Sequence, residues 1–511
     1  MQTVQIDGEH LTIDEIVAVA RHGARVTLSP SAIASIQQSH KWVEEIIERD
    51  EPVYGINTGF GVFAEKRIPK HDFSTLSRNL ILSHAVATGT PFDEEIVRAA
   101  MLVRANTLAK GYSGVRVEVV ETLLALLNQN VTPVIPSQGS LGSSGDLAPL
   151  AHMTLVLSTD DEGSGAQSGF ASYQGEIIEG KEAMASAGIK PIILGAKEGL
   201  ALTNGATFTA AIGALAVYDA EILLRTGELS LTLSLEALMG CTDAFDERLH
   251  KARGFQGQAR VAEAVRRLVR NSTLLNKCGL VQDAYSLRCA PQVQGICWDT
   301  LEFVKNVIDL EINAATDNPL LFEPGIALSG GNFHGEPVGL AMDYLGIAMA
   351  ELASISERRT YRLTDGNFNS GLPPMLVDQP EDAGLNSGMM MPQYTAASLV
   401  LENRTLATPD SIQSLPVSGQ KEDHNANSTT AARHARDIIK NTAHVLAIEL
   451  YTAARALDLR LRQYPEFELG EGTQRVYKTI RNAINYQPGD AWWAPEIDQV
   501  RELILSEVLE D

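Results

Sequence analysis

ATFTAAIGALAVYDAEILLRTGELSLTLSLEALM, residues Ala206 to Met239, runs without proline and is rich in Ala and Leu. Read as a helix, it is apolar on several faces, so it has to be buried. A helix of this length fits a bundle interior or a subunit interface. Gly213 and Gly227 weaken it slightly without ending it. Working outward, Ser428 to Leu461 is a second Ala-rich stretch without proline. From Val338 onward Met342, Leu345, Met349, Leu352 and Ile355 step by three or four, one apolar stripe on a further helix. Upstream the texture changes. Short segments such as Val115 to Leu127 alternate with Gly- and Pro-rich turns, and Asp160 to Gly169 reads as an acidic, exposed connection. No internal repeat or low-complexity tail is visible. These patterns predict an all-α protein in which a loop-rich N-terminal region, residues 1–205, feeds a long-helix body, residues 206–511.

Composition narrows the function. The 511 residues carry 41 Lys and Arg against 64 Asp and Glu, a formal charge of −23. That balance argues against binding nucleic acid, where cations must neutralise phosphates, and against docking on an anionic membrane. Apolar residues are 44% and charged residues 21%, an ordinary globular mixture. Aromatics are only 6%, so aliphatic side chains must fill the core, which suits packed helices. No apolar run reaches the ~20 residues that span a bilayer, and the first residues show no basic then apolar pattern of a secretion signal. A cytoplasmic location is the expectation. Cys241, Cys278, Cys289 and Cys297 form no C-x-x-C pair and no zinc spacing with His. They read as reduced thiols, and no metal is expected.

Long helices do not need the loop GSLGSSGDLAPLAH, Gly139 to His152. Its glycines allow tight backbone turns, and its serines supply hydroxyls. On its own the cluster reads first as a structural turn. A phosphate cradle would need Gly-Lys-Ser/Thr, and a serine hydrolase elbow would need G-x-S-x-G. Neither is present.

The run resembles the signature of the aromatic amino acid ammonia-lyases, above all their histidine-specific members. In that family an Ala-Ser-Gly tripeptide cyclises into 4-methylidene-imidazol-5-one, so the resemblance implies this group, built from Ser143, Ser144 and Gly145, with no external cofactor. Ser143 stands where Ala is usual; its side chain only decorates the ring. The resemblance extends along the chain in family order: Tyr54-Gly55-Ile56-Asn57-Thr58-Gly59-Phe60-Gly61, Ser83-His84, Asn204-Gly205, the segment Gln282 to Cys289, Asn313 to Leu320, and Ser329 to Gly335.

What the resemblance implies is an elongated long-helix bundle of the ammonia-lyase and fumarase type, assembled as a homotetramer with active sites shared between chains. The implied reaction is non-oxidative deamination of L-histidine to trans-urocanate and ammonia. Tyr54 is the implied base, and it needs cations or a helix N-terminus to bring its pKa down from ~10. Arg288 is implied to hold the substrate carboxylate, for which a guanidinium is a bidentate partner. Asn204, Gln282 and Tyr285 are implied to orient the amino-acid end, Phe333 to pack near the ring, and His84 and Glu422 to hold the imidazole. Lys421-Glu422-Asp423-His424 resembles the histidine-specific Gln-Glu-Asp-His, with Lys421 in place of Gln. Asn425-Ala426-Asn427-Ser428 departs from the usual Val-Ser-Met-Gly continuation. Phenylalanine or tyrosine ammonia-lyases, an aminomutase, and a non-catalytic helical scaffold stay open as alternatives.

Overall fold

Helix dominates in the computed structural model, which describes residues 3–49, 51–323 and 325–509. Among the described residues there are eighteen α-helices, and the strands are two to four residues long in sheets of two or three. The four longest helices are Thr207–Ala237, Ala290–Glu311, Glu336–Thr364 and Ser428–Gln463. The first and last lie close to the stretches read from proline spacing, Glu336–Thr364 contains the apolar stripe from Val338 to Ile355, and Ala290–Glu311 was not anticipated. Asp160 to Gly169 is a turn-rich connection between two short strands, as its small acidic residues predict.

One expectation needs correcting. Thr207–Ala237 and Glu336–Thr364 are each long and apolar enough to cross a membrane by length and composition. Of the most apolar stretch of each, 83% and 67% is buried within the folded chain. Interspersed Ser, Thr and Gly hid the length of these stretches from a search for an unbroken apolar run.

The chain forms two compact units, each discontinuous in sequence. The first comprises residues 1–218, 305–343 and 409–433. Its centre is the helix Glu94–Ala109, buried from Ile96 onward, with Ile13–Ala20 and Val117–Asn128 packed against it. The helix Phe73–His84 packs on both Leu147–Leu157 and Glu198–Thr203. These three helices place three candidate site elements at their ends: His84 closes the first, the Ser143-Ser144-Gly145 turn precedes the second, and Asn204 caps the third.

The second unit comprises residues 219–304, 344–408 and 434–511. It contains an aliphatic cluster of Ala353, Ala396, Val400, Val445 and Ile448. Arg359 and Glu449 pair there with both side chains fully buried.

Candidate active site

The loop expected to carry chemistry is held by backbone on both sides. Gly145 has φ +79°, and a Cβ there would meet the carbonyl carbon of Gly205 at 2.1 Å. Only glycine fits such an approach. Gly205 N–H donates to the Ser144 carbonyl at 3.1 Å, and Asp146 N–H donates to the Gly205 carbonyl at 2.9 Å. Asn204 Nδ2 adds a second donor to the Ser144 carbonyl at 2.8 Å. At Gly142, φ +68°, a Cβ would meet Ser428 Oγ at 2.3 Å. The departure segment Asn425 to Ser428 therefore packs against this loop, and Asn427 N–H donates to the Leu141 carbonyl at 2.8 Å.

Asp146, which sequence reasoning did not single out, anchors the loop from below. Its carboxylate is buried and accepts from Ser140 Oγ at 2.9 Å, from Thr209 N–H at 2.9 Å and from the Thr429 hydroxyl. Burial raises its pKa, and these hydrogen bonds pull the other way. A second unpredicted group lies beside it. Lys197 and Asp317 form a fully buried ion pair, and Arg104, fully buried, donates to the Ala201 carbonyl at 3.0 Å and to the Asn204 carbonyl. Burial lowers the Arg104 guanidinium to about 10. Nothing in local sequence marks Lys197 or Arg104, because their partners are 97 to 120 positions away, and Asp317 was met only as part of the segment Asn313 to Leu320 without a role of its own.

Above the loop opens a cavity of about 920 Å³. Tyr54, His84, Ser144, Asn204, Phe333 and Glu422 all line it, as do Lys66 and Lys421. Tyr54 sits on a hairpin-like turn. Asn57 fastens that turn by accepting from Val53 N–H at 2.7 Å and donating to the Glu51 carbonyl at 2.8 Å. His84 is half-buried, with Nδ1 3.0 Å from Ser83 Oγ, and burial lowers its pKa. Glu422 is half-buried and faces the cavity rather than solvent alone. Ser143 is buried, and its Oγ has no hydrogen-bond partner among the described residues. Asn204 Oδ1 is likewise buried without one.

Two expectations meet the geometry differently. Tyr54 was expected to be lowered by cations. Within this chain burial raises its pKa, and the charges of Glu422 and Asp317 add to the rise, against a backbone hydrogen bond at Gly61. Gln282, Tyr285 and Arg288 belong to the second unit and are not in the cavity lining. Gln282 and Tyr285 are exposed, the latter by 70%, while Arg288 stacks over the Tyr285 ring at 4.5 Å and donates Nε–H to the Asp283 carbonyl at 2.9 Å. Of the residues expected at the site, Tyr54, His84, Ser144, Asn204, Phe333 and Glu422 line this cavity, and Gln282, Tyr285 and Arg288 do not.

The sequence matches the aromatic amino acid lyase family over residues 11–482. The chain belongs to that family. Among its relatives, a histidine ammonia-lyase of Caldanaerobacter subterraneus is 49% identical over 514 residues, covering 100% of this chain and 98% of the relative. One from Alkaliphilus oremlandii is 48% identical over 509 residues, 99% of this chain and 97% of the relative. Among solved structures of the lyase family's fold, histidine ammonia-lyase from Trypanosoma cruzi superposes with a TM-score of 0.90 at 37% identity, over 99% of this chain and 94% of that one. Tyrosine aminomutase from Streptomyces globisporus reaches 0.92 at 35% identity, over 99% and 98%.

Proposed function

We propose that this cavity carries out the non-oxidative deamination of L-histidine to trans-urocanate and ammonia. The observation that carries the reading is the convergence of Ser144, Tyr54, His84, Asn204, Phe333 and Glu422 on one cavity of about 920 Å³. The near half identity to histidine ammonia-lyases over the full length agrees with it. The enzyme is thus a carbon–nitrogen lyase.

Ser143, Ser144 and Gly145 would form the 4-methylidene-imidazol-5-one. Three features favour this place for it: a glycine that admits no Cβ, two N–H donors converging on the Ser144 carbonyl, and Ser144 facing the cavity. When present, the group supplies an electrophilic carbon that makes the substrate amine a leaving group. The other roles fall to the chain's own side chains. Glu422 accepts from an imidazole N–H and favours the charged ring, and His84, kept neutral by burial, contacts the same end. Asn204 orients the amino-acid end. Tyr54 removes the β-proton. Burial, Glu422 and Asp317 hold its phenol neutral, so forming the phenolate needs positive charge nearby. A substrate imidazolium paired with Glu422 brings such charge, and so does Arg288 supplied by a second copy.

That last role fits the remaining residues. Gln282, Tyr285 and Arg288, exposed or half-exposed and outside the cavity of their own chain, would bind the carboxylate in a neighbouring copy's cavity. The enzyme then works as a cytoplasmic homotetramer with shared sites. The test is turnover of histidine, phenylalanine and tyrosine at equal concentration, with product analysis. Urocanate from histidine is the expected result. Cinnamate or coumarate as the main product would move the substrate, β-amino acid would make it an aminomutase, and no product would make it a scaffold.

A further inference from the structure

Cys241 and Cys278 are 37 positions apart, yet their sulfurs lie 3.6 Å from each other in the second unit. The two segments that carry them are fastened by backbone. Asn276 N–H donates to the Gly240 carbonyl at 2.8 Å, and Lys277 and Cys278 N–H donate to the Met239 carbonyl at 3.2 and 3.1 Å. Asn276 Oδ1 accepts from Thr242 N–H at 2.9 Å. Asp283, buried, closes the third side: its Oδ2 accepts from Cys241 N–H at 2.6 Å. One ligand atom from each of Cys241, Cys278 and Asp283 lies within 4.8 Å of the other two.

The two sulfurs are unbonded thiols in contact, since a formed disulfide holds them at ~2.05 Å and here they stand at 3.6 Å. Two thiolates on a tetrahedral zinc at ~2.3 Å each stand ~3.8 Å apart, close to the gap found. A carboxylate keeps lone pairs to spare after accepting one N–H. Two thiolates and one carboxylate are a donor set for a thiophilic divalent cation, with a fourth position left to water.

We propose that Cys241, Cys278 and Asp283 form a binding site for a zinc-type divalent cation. Asp283 lies between Gln282 and Ala284, and its carbonyl accepts from Arg288 Nε. A cation held by its carboxylate therefore fixes the segment that carries Gln282, Tyr285 and Arg288. This consequence, unlike the site itself, rests on the function proposed above.

The test uses the full chain, reduced and stripped of metal, titrated with Cd²⁺ and then Zn²⁺. The expected result is one Cd²⁺ per chain bound tighter than about 1 µM, with thiolate-to-metal charge-transfer absorbance and slower amide exchange across residues 278–288. Cys241→Ser and Cys278→Ser each weaken binding ~100-fold or more, and Asp283→Asn weakens it ~10-fold. Melting curves establish that each variant is folded. Cd²⁺ binding that survives in the Cys241→Ser/Cys278→Ser double variant overturns the proposal. So does a reduced wild type that binds no Cd²⁺ but loses two hydrogens at this pair under mild peroxide. None of these readouts depends on histidine turnover, so failure of the proposed activity and failure of the site are separate outcomes.

Discussion

Lys197 with Asp317 in the first unit, and Arg359 with Glu449 in the second, are both ion pairs with no exposed side-chain surface. Their surroundings differ. Arg359 meets Glu449 through two parallel bonds, Nε to Oε1 at 2.5 Å and Nη2 to Oε2 at 2.7 Å. Ser234 and Ser356 hydroxyls donate to the same carboxylate at 2.7 and 2.6 Å. This pair ties helices together and is saturated. Lys197 sits on a turn at φ +70°, its ammonium destabilised by burial and by repulsion from Arg104. Its partner Asp317 also accepts from Asn318 N–H at 2.6 Å, and Asn318 lines the cavity. The comparison teaches that buried charge serves two ends here. In the second unit it joins helices, and beside the cavity it joins the turn at Lys197 to the segment of Asp317 and Asn318.

The predictions break or sharpen that contrast. The largest effect belongs to the loop itself. Ser144→Ala removes the hydroxyl that the proposed cyclisation would eliminate, so histidine turnover should fall at least ~10³-fold with the fold intact. Intact mass should show the variant at its sequence mass, against a wild type lighter by two waters, ~36 Da. A retained deficit would return the loop to a plain turn.

Next, Lys197→Met and Arg359→Met each leave a buried carboxylate unpaired, which costs about 3–5 kcal/mol in urea denaturation. At a temperature where both variants are folded, Lys197→Met should lose the more kcat/KM. Equal losses would erase the distinction between the two pairs.

Tyr54→Phe keeps the ring and removes the hydroxyl of the proposed base, and should lower kcat by ~10² or more. Because burial and nearby carboxylates raise the Tyr54 pKa, the reactive phenolate grows with pH throughout the neutral range. Wild-type kcat/KM should therefore climb from neutral to mildly alkaline pH, and the climb should vanish in the variant.

Glu422→Gln should cost histidine turnover by ~2 kcal/mol in kcat/KM; unchanged kinetics would mean that Glu422 lines the cavity without binding the imidazole. The smallest effect is expected for Ser143→Ala, which discards a buried hydroxyl without a partner and should keep both the mass deficit and most activity.

The long helices were readable because apolar spacing and missing prolines are local properties. Thr207–Ala237 and Ser428–Gln463 end within two residues of the stretches read from sequence. The loop, Tyr54, His84, Asn204, Phe333 and Glu422 were readable because each belongs to a short motif, and the fold brings them to one cavity. What escaped is what depends on distant partners. Asp146 is held by Thr429 from 283 positions away, Lys197 by Asp317 from 120, and Cys241 meets Cys278 across 37. Composition carries no trace of such pairings. The sign of the Tyr54 shift escaped for the same reason: it is set first by burial in the folded chain, with Glu422 and Asp317, both remote in sequence, adding to the rise.

The approach of residue 145 to residue 205 bears on how such a cavity can be redesigned. Its floor, where the reactive group is proposed, is backbone against backbone, and any side chain introduced at either glycine collides with its surroundings. A mutant library spread evenly over the site would spend those two positions on chains that cannot assemble. The walls are side chains borne on separate segments, among them Leu80, His84, Phe333 and Glu422. They can be exchanged while the floor stays fixed. Substrate preference and reaction type are thus separable in engineering terms, and a change of amino acid substrate should be sought in the walls alone.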